Sequence, residues 1–546
     1  MTSRPSRTSP KSPAKASPAA RTASRRIRKV LVANRGEIAV RVFRTLREMG
    51  IPSVAVFSDV DRDAPHVFAA DEAHRIGPAP APESYLDANR VLEAARLAGA
   101  DAIHPGYGFL AESAVFAQAV EDAGLTWIGP TPEATRAMGD KVRARELAIR
   151  EKVPVLPGTP GPVADPAELR RAAEEIGYPV VLKAAAGGGG KGMRRVNQPS
   201  EFEQAVRLTQ GEARSAFGDD RLYLERWLEK PRHIEVQILG DTHGTVLAMG
   251  ERDCSIQRRH QKLVEETPSP ALDDAKRREL WALAVRVARA GGYTNAGTAE
   301  FLMDREGRFY FLEMNARLQV EHPVTEMVLG IDLVREQIRV ARGEALGYGQ
   351  DDITPRGASI EFRVYAEDPD RGYLPDAGTV RRLELPAGPG VRVDFGVRAG
   401  GMVPVYYDPL IGKIIVWAPT RPEAVDRARR ALSECALEGV RTTLPLHRWL
   451  LRQEPFVSGD YDTAYLTHAF RRAEPDQEDG ALVEDAAIAA VFAQMDGAGF
   501  RRPMTESAAA SGHAGPAAAS SPGFAKPSRW RTALPGLRSG GAGGRR

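Results

Sequence analysis

Phe309-Tyr310-Phe311-Leu312-Glu313-Met314-Asn315-Ala316-Arg317-Leu318-Gln319-Val320-Glu321-His322-Pro323 is an apolar run that gives way at once to acids, amides and a cation. Successive strand side chains alternate between faces, so Phe309, Phe311, Glu313 and Asn315 are predicted on one face and Tyr310, Leu312 and Met314 on the other. Upstream, Thr298-Ala-Glu-Phe-Leu-Met303 has strand composition, and Asp304-Arg-Glu-Gly307 between the two runs has turn chemistry. The spacing predicts a β-hairpin. With a two- or four-residue loop, Glu300 faces Phe311 and lies diagonal to Glu313 at roughly 7–8 Å. A three-residue loop puts Glu300 on the opposite face. In the first case Glu300, Glu313 and Asn315 converge as an all-oxygen cluster, which suits Mg²⁺ shared with substrate phosphates. A solvated hairpin whose acids face water has the same pattern.

Further upstream, His233-Ile-Glu-Val-Gln-Ile-Leu239 alternates with period two and Val246 to Gly250 continues it, so a sheet is predicted. Glu251-Arg-Asp-Cys-Ser-Ile-Gln-Arg-Arg-His-Gln-Lys-Leu-Val264 extends that sheet with Arg252, Arg258, Arg259, His260 and Lys262. A lone basic strand is ordinarily a solvated face. In one sheet with the acidic hairpin, it would balance a polyphosphate and its metal across a cleft. Leu222 to Leu228 reads as a strand-like run closing the preceding segment. That segment contains Pro179-Val-Val-Leu-Lys183, which runs into Ala184-Ala-Ala-Gly-Gly-Gly-Gly-Lys-Gly-Met193. Glycines let backbone N–H groups approach phosphate oxygens, and Lys183 and Lys191 bracket the loop with charge. Gly190-Lys191-Gly192 lacks the Ser or Thr that follows the lysine of a Walker A loop, which excludes that motif. A flexible glycine hairpin with solvated lysines has the same composition. A helical stretch from Asp140 to Lys152 and a Pro- and Gly-rich connector from Pro154 to Pro166 mark the boundary before it.

The chain opens on a βαβ pattern. Lys29 to Ala33 reads as a buried strand, Glu37 to Met49 as a helix stopped by Gly50, and Ser53 to Ser58 as the second strand. A lone glycine in the first turn excludes a G-x-G-x-x-G dinucleotide loop, although Asp59 stands where a ribose acid would. Helix Tyr85 to Ala98, strand Asp101 to His104, helix Glu112 to Ala123 and strand Thr126 to Gly129 complete an α/β unit. His104-Pro-Gly-Tyr-Gly108 leaves its strand at the edge where open α/β folds place ligands, a position that an ordinary Pro-Gly turn also occupies.

At 546 residues and 42% hydrophobic content, the chain has the size of three or four domains. Its net charge is only +3 on 75 basic and 72 acidic residues, so nothing global calls for nucleic acid or acidic lipid. The basic excess is local: residues 1 to 29 carry Lys and Arg without an acid and without an apolar face. This predicts a disordered basic arm and argues against an amphipathic transit peptide. Cys254 and Cys435 form no CxxC pair, which argues against a disulfide framework or structural zinc and fits a reducing compartment. No run of roughly 18 apolar residues predicts a membrane span, and a cytoplasmic location is expected.

Seven motifs in order carry a resemblance. Val32-Ala-Asn-Arg-Gly-Glu-Ile38, His104-Pro-Gly-Tyr-Gly108, Met138-Gly-Asp-Lys141, Gly187-Gly-Gly-Gly-Lys-Gly-Met193, Glu251-Arg-Asp-Cys-Ser-Ile-Gln257, Glu313-Met-Asn-Ala-Arg-Leu-Gln-Val-Glu-His-Pro323 and Arg363-Val-Tyr-Ala-Glu-Asp-Pro369 resemble those of biotin carboxylases, which are ATP-grasp enzymes. The resemblance spans about residues 27 to 470. It implies a mixed α/β fold: a Rossmann-like N-terminal domain over 27–138, an ATP-grasp domain over 139–355 with a mobile glycine-rich lid at about 155–228, and a C-terminal mixed β domain over 356–470. It further implies that MgATP (or MnATP) activates bicarbonate as carboxyphosphate and that the carbon passes to the ureido nitrogen of biotin. The family's ATP contacts then fall on Lys141, Lys183, Gly188, Gly189, Gly190, Glu225, Arg226, Leu228, His233, Gln257 and His260. Its metal ligands fall on Glu300, Glu313 and Asn315. Bicarbonate contacts fall on Lys262, Arg317, Gln319 and Val320, with Glu321 as base, and biotin contacts on Arg363 and Tyr107. Arg226 stands where relatives often have lysine, and Ala186 begins a glycine run that is one longer in some of them. Both are positions of backbone contact.

Past Arg363, strand patterns and a helix from Glu423 to Leu437 lead to about residue 470. Residues 471–546 are expected to hold one helix, Ala481 to Met495, and a disordered tail. Related acyl-CoA carboxylase alpha chains continue into a biotin carrier domain whose biotinylated lysine follows a methionine, and none of the 11 methionines here precedes lysine. A separate biotin carboxyl carrier protein and a carboxyltransferase are therefore the expected partners, and a homodimer is implied by the resemblance.

Overall fold

The computed structural model describes residues 26–185 and 193–470. Residues 1–25 of the basic arm, the glycine loop with Gly188, Gly189, Gly190 and Lys191, and the expected helix Ala481 to Met495 lie outside the described residues.

Strands of unbroken apolar character build the first sheet. Val30–Val32 and Ala102–His104 are fully buried and lie side by side, flanked by Ser53–Ser58 on one side and Thr126–Trp127 on the other, all parallel. Glu72–Gly77 adds a fifth strand at the edge. That strand was not anticipated, because an edge needs no continuous apolar run and Glu72, His74 and Arg75 remain partly exposed. The helix expected from Tyr85 begins instead at Ala88. The Asp87 carboxylate accepts from the N–H groups of Asn89 and Arg90 and caps the helix there, while the buried Tyr85 hydroxyl donates to Asp61 at 2.6 Å.

A small antiparallel sheet of Met193–Val196, Val180–Ala184 and Leu222–Arg226 follows. The helices Pro166–Ile176 and Phe202–Phe217 pack on it, and Leu169, Leu182, Phe202, Leu222 and Leu224 fill the space between. The Pro- and Gly-rich connector is tied down at both ends, since Val155 bridges to Phe311 and Val163 to Leu222.

The second large sheet has eight antiparallel strands, in the order Phe309–Asn315, Asn295–Met303, Arg232–Gly240, Val246–Arg258, Gln261–Thr267, Ala358–Tyr365, Leu410–Ala418 and Val391–Phe395. It runs without a break from the acidic hairpin to the C-terminal strands, because Gln261–Thr267 pairs with Ala358–Tyr365. The basic stretch and the acidic hairpin therefore share one sheet. Its basic side chains divide: Arg252 is completely buried, Arg258 and Lys262 are half-buried, and Arg259 and His260 at the turn are exposed.

The hairpin differs from the expected register in a way that matters. Met303 pairs with Phe309, so the odd-numbered connection Asp304 to Arg308 sets the Phe301↔Phe311 register. Continued, that register would oppose Glu300 to Leu312. A bulge at Leu312 intervenes, and Glu300 pairs directly with Glu313, Ala299 with Met314 and Thr298 with Asn315. An extra residue in one strand reverses which face every later side chain occupies. Phe309 and Phe311 therefore join Met314, Phe301 and Ala299 in the core, whereas Glu313 and Asn315 face the other way. The predicted grouping of the two phenylalanines with Glu313 and Asn315 is corrected accordingly.

Near the C-terminal end, Arg421–Glu434 is a helix opened by a Thr420–Glu423 capping box. It stops before Leu437, which the sequence pattern had included, because Ala436–Glu438 pairs with Arg382–Glu384. Among the described residues, no helix is long and apolar enough to cross a membrane.

Candidate active site

Cross-strand pairing lines up charges on one face of the eight-stranded sheet. Glu313 opposes Glu300, Glu300 opposes Glu235, and Glu235 opposes Arg252. Like charges directly opposite one another destabilise a sheet unless something neutralises them. Here the neutralising groups are specific. Arg252 Nε meets Glu235 Oε1 at 2.6 Å, and its other nitrogens donate to Gln237, Thr298 and Thr325 at 2.8–3.1 Å. Breaking one partner of such a buried pair costs about 3–5 kcal/mol, so this network holds the three strands in register.

Lys262 is the hub. Its ammonium lies 2.5 Å from Glu235, 2.9 Å from Glu300 and 2.9 Å from Glu321. Burial alone would lower the Lys262 pKa, but the three carboxylates outweigh it and hold the amine charged. Burial would likewise raise Glu300, yet Lys262 and His233 keep it well below the usual carboxylate range. His233 Nε2 stands 2.9 Å from Glu300, and Asn315 Nδ2 donates to the same carboxylate at 2.8 Å. Arg317 follows on the loop after the hairpin, donating to Gln319 at 2.7 Å and Asn315 at 3.1 Å, with Glu112 of the N-terminal unit 3.3 Å from its Nε.

Glu321, fully buried, sits between two cations. Lys262 is on one oxygen and Arg363 NH2 on the other, at 2.9 Å. Burial pushes its pKa up, and Lys262, Arg363 and Arg252 together pull it well below the ordinary value. Arg363 reaches a second acid as well, Glu265, at 2.7 Å from Nε. Beside it, Lys413 donates to the Val320 carbonyl at 2.7 Å and lies over the Tyr107 ring, 5.8 Å from its centroid. Tyr107 is brought there by a loop clasp: Asn34 Nδ2 donates to the carbonyls of Pro105 and Tyr107 at 2.8 and 2.7 Å. Gly106 makes the clasp possible, because it has φ +64° and a Cβ there would lie 3.0 Å from Asn34 Nδ2.

The remaining expected residues surround this centre less tightly. Lys141 meets Glu313 at 3.2 Å on the open side of the hairpin. Lys183 meets Glu225 at 2.5 Å, with Arg145 on the other oxygen at 3.3 Å. His260 and Arg259 form the turn between two basic strands with φ of 69° and 48°. Partial desolvation lowers the His260 pKa, and the neighbouring Lys183 and His233 add to the effect. Gln257 pairs across the strands with Lys262, and its amide donates to the Cys254 carbonyl at 3.4 Å. Leu228 is half-buried, and Arg226 is exposed and turned away, donating to Ile176 O at 3.0 Å.

Glu235, Glu265 and Lys413 were not singled out from the sequence, and Arg252 was named only as one of the cations of the basic stretch. The first had a signal, since the alternation of His233, Glu235 and Gln237 puts all three on one strand face. Lys413 had another, as the only charge in the apolar strand Leu410–Ala418.

Three family models match along the chain: "Biotin carboxylase, N-terminal domain" over residues 26–135, "Carbamoyl-phosphate synthase L chain, ATP binding domain" over 140–348 and "Biotin carboxylase C-terminal domain" over 361–468. A biotin carboxylase of Nostoc is 52% identical over 438 residues, covering 80% of this chain and 98% of its own.

The chain belongs to the biotin carboxylase family. Biotin carboxylase 1 of Bacillus subtilis is also similar to it, at 50% identity over 81% of this chain and 98% of the relative. Among solved structures, the biotin carboxylase domain dimer of 2-oxoglutarate carboxylase from Hydrogenobacter thermophilus, in complex with MgADP, ADP and bicarbonate, superposes with a TM-score of 0.79. It is 48% identical and covers 82% of this chain and 99% of that one.

Proposed function

We propose that this chain is the biotin carboxylase of a multi-subunit carboxylase, using MgATP and bicarbonate to carboxylate biotin held on a separate carrier protein. The observation that carries the reading is the convergence of Lys262 and Arg363 on Glu321, each at 2.9 Å from one of its oxygens. Glu321 takes the bicarbonate proton, and Lys262 and Arg317 stabilise the anion that attacks the γ-phosphate. Gln319 and the Val320 peptide, held by Lys413, orient that anion. Lys141, Lys183, His233, Gln257, His260, Glu225, Leu228 and the backbone at Arg226 are assigned to the nucleotide. Arg363 and Tyr107 receive biotin. We place the protein in the cytoplasm as a homodimer with carrier and carboxyltransferase partners.

A divalent cation suits the donor set. Glu300, Glu313 and Asn315 offer oxygen atoms on one sheet face, and Glu313 is open on the side of Lys141. When bound, such an ion supplies charge neutralisation to the phosphates. Glu313→Gln should raise the Mg²⁺ concentration for half-maximal turnover and slow turnover sharply. An unaltered Mg²⁺ titration in that variant would remove Glu313 from the metal site.

The test of the whole reading is ADP release with and without bicarbonate and free biotin. Release that depends on bicarbonate, and carboxybiotin formation on adding biotin, are expected. ADP release indifferent to bicarbonate would indicate an ATP-grasp ligase for another carboxylate, and no turnover a nucleotide-binding scaffold.

A further inference from the structure

Glu265 and Glu361 take no part in the chemistry assigned above, yet both are fully buried beside it. They are direct partners across the strands Gln261–Thr267 and Ala358–Tyr365, so their side chains stand on one face at close approach. The same face carries Arg363 and Lys413, themselves cross-strand partners, and the helix His322–Leu329 covers it. Glu265 lies 2.7 Å from Arg363 Nε. Neither glutamate's oxygens have a hydrogen-bond donor among the described residues, and what separates the two is that Glu265 has the ion pair to Arg363 and Glu361 has none. Two ionised carboxylates held together out of water repel each other and lose their solvation. A single proton between them removes both penalties.

We propose that Glu265 and Glu361 hold one proton between them, Glu361 as the acid and Glu265 as the ion, and that Glu265 is thereby the positioning residue for Arg363. The role given to Arg363 rests on the biotin carboxylase reading. Arg363 is gripped from two sides, by Glu265 at Nε and by Glu321 at NH2. When Glu321 receives the bicarbonate proton its hold on the guanidinium weakens. Glu265 keeps the group aimed at that moment, and the neutral Glu361 does not compete for it. The charged and titratable groups facing the pair are Arg363 and Tyr365 on the strand of Glu361, Lys262 on the strand of Glu265, Cys254 from Val246–Arg258, Lys413 from Leu410–Ala418 and Glu321 from the turn before the covering helix. Glu37, from the helix Gly36–Glu48, reaches the pair only through Lys413.

Burial raises Glu361 well above its ordinary value, Lys413 only partly offsetting it, and raises Glu265 to about 7 despite Arg363. Groups raised in the folded state contribute stability that is present at low pH and lost as pH rises through the folded value. Failure of the arrangement therefore belongs on the neutral-to-alkaline side.

Infrared difference spectra of the intact chain, without substrates, read the proton directly. The native-minus-Glu361→Gln spectrum should contain a protonated-carboxyl C=O band that fades as pH is raised. Glu265→Gln should lower biotin carboxylation by roughly tenfold or more, chiefly in kcat, while bicarbonate-dependent ATP cleavage stays within about threefold. Glu361→Gln should carry the alkaline limb of carboxylation to higher pH. Absence of the band, an unmoved limb, or equal loss of both half-reactions in Glu265→Gln would overturn the proposal. If the native chain neither cleaves ATP nor carboxylates biotin, the functional reading fails, and the infrared band still decides whether the proton is there.

Discussion

Bicarbonate-dependent ATP cleavage is expected to fall to background in Glu321→Gln, a loss on the order of 10²–10⁴-fold for a general base. Bicarbonate is a poor nucleophile until its proton leaves, and Glu321 is the carboxylate placed between Lys262 and Arg363 to receive it. Those same cations hold Glu321 well below the ordinary carboxylate range in the free protein, so there it is a weak base. On the assignment proposed above, its basicity should rise when substrates draw on Lys262 and Arg363. The glutamine keeps the shape and cannot take the proton. Lys262 retains Glu235 and Glu300, and Arg363 retains Glu265, so the variant should lose stability but stay folded at assay temperature and still bind a nucleotide analogue. Cleavage within tenfold of native, in a folded variant, would remove Glu321 from the role.

Arg363→Gln separates the half-reactions. A ureido nitrogen attacks carbon only as negative charge develops on the ureido oxygen, and a fixed guanidinium beside that oxygen stabilises the charge. Glu265, Glu321 and Tyr365 fix Arg363 from three directions, with Tyr365 OH 3.3 Å from NH1. Loss of the guanidinium should lower biotin carboxylation by on the order of a hundredfold or more while much of the bicarbonate-dependent ATP cleavage survives. Removing it also frees Glu321 of one cation, which raises the basicity of that carboxylate and favours the first half-reaction. Parallel measurement of ADP and carboxybiotin decides the matter. Equal loss of both, with the fold intact, would refute the division of labour between Glu321 and Arg363.

Local pattern made much of this protein legible. Ser53–Ser58 and Arg232–Gly240 could be read from apolar runs and period-two alternation because a strand's faces are set by its own backbone. The types of the candidate ligands were legible for the same reason: acids and an amide at the end of an apolar strand have few uses. The hidden parts are those in which one segment answers another. Arg252 reads as a surface cation until Glu235, Gln237, Thr298 and Thr325 from other elements close round it. Helix ends moved where a single side chain, Asp87, satisfied the first free N–H groups.

By itself, then, the sequence determined most element types, the motif order and the stock of charged groups at the centre, all of which depend on neighbours in the chain. Tertiary structure decided which of those groups meet. A bulge at Leu312 turned Glu313 and Asn315 away from the phenylalanines and set Glu300 directly against Glu313, a choice that loop chemistry alone leaves open because one residue reverses a strand's faces. The placement of Lys262 among Glu235, Glu300 and Glu321, and of Arg363 between Glu265 and Glu321, was decided by pairing of strands distant in sequence. There burial and opposite charge act on the same atoms, and that combination sets their protonation.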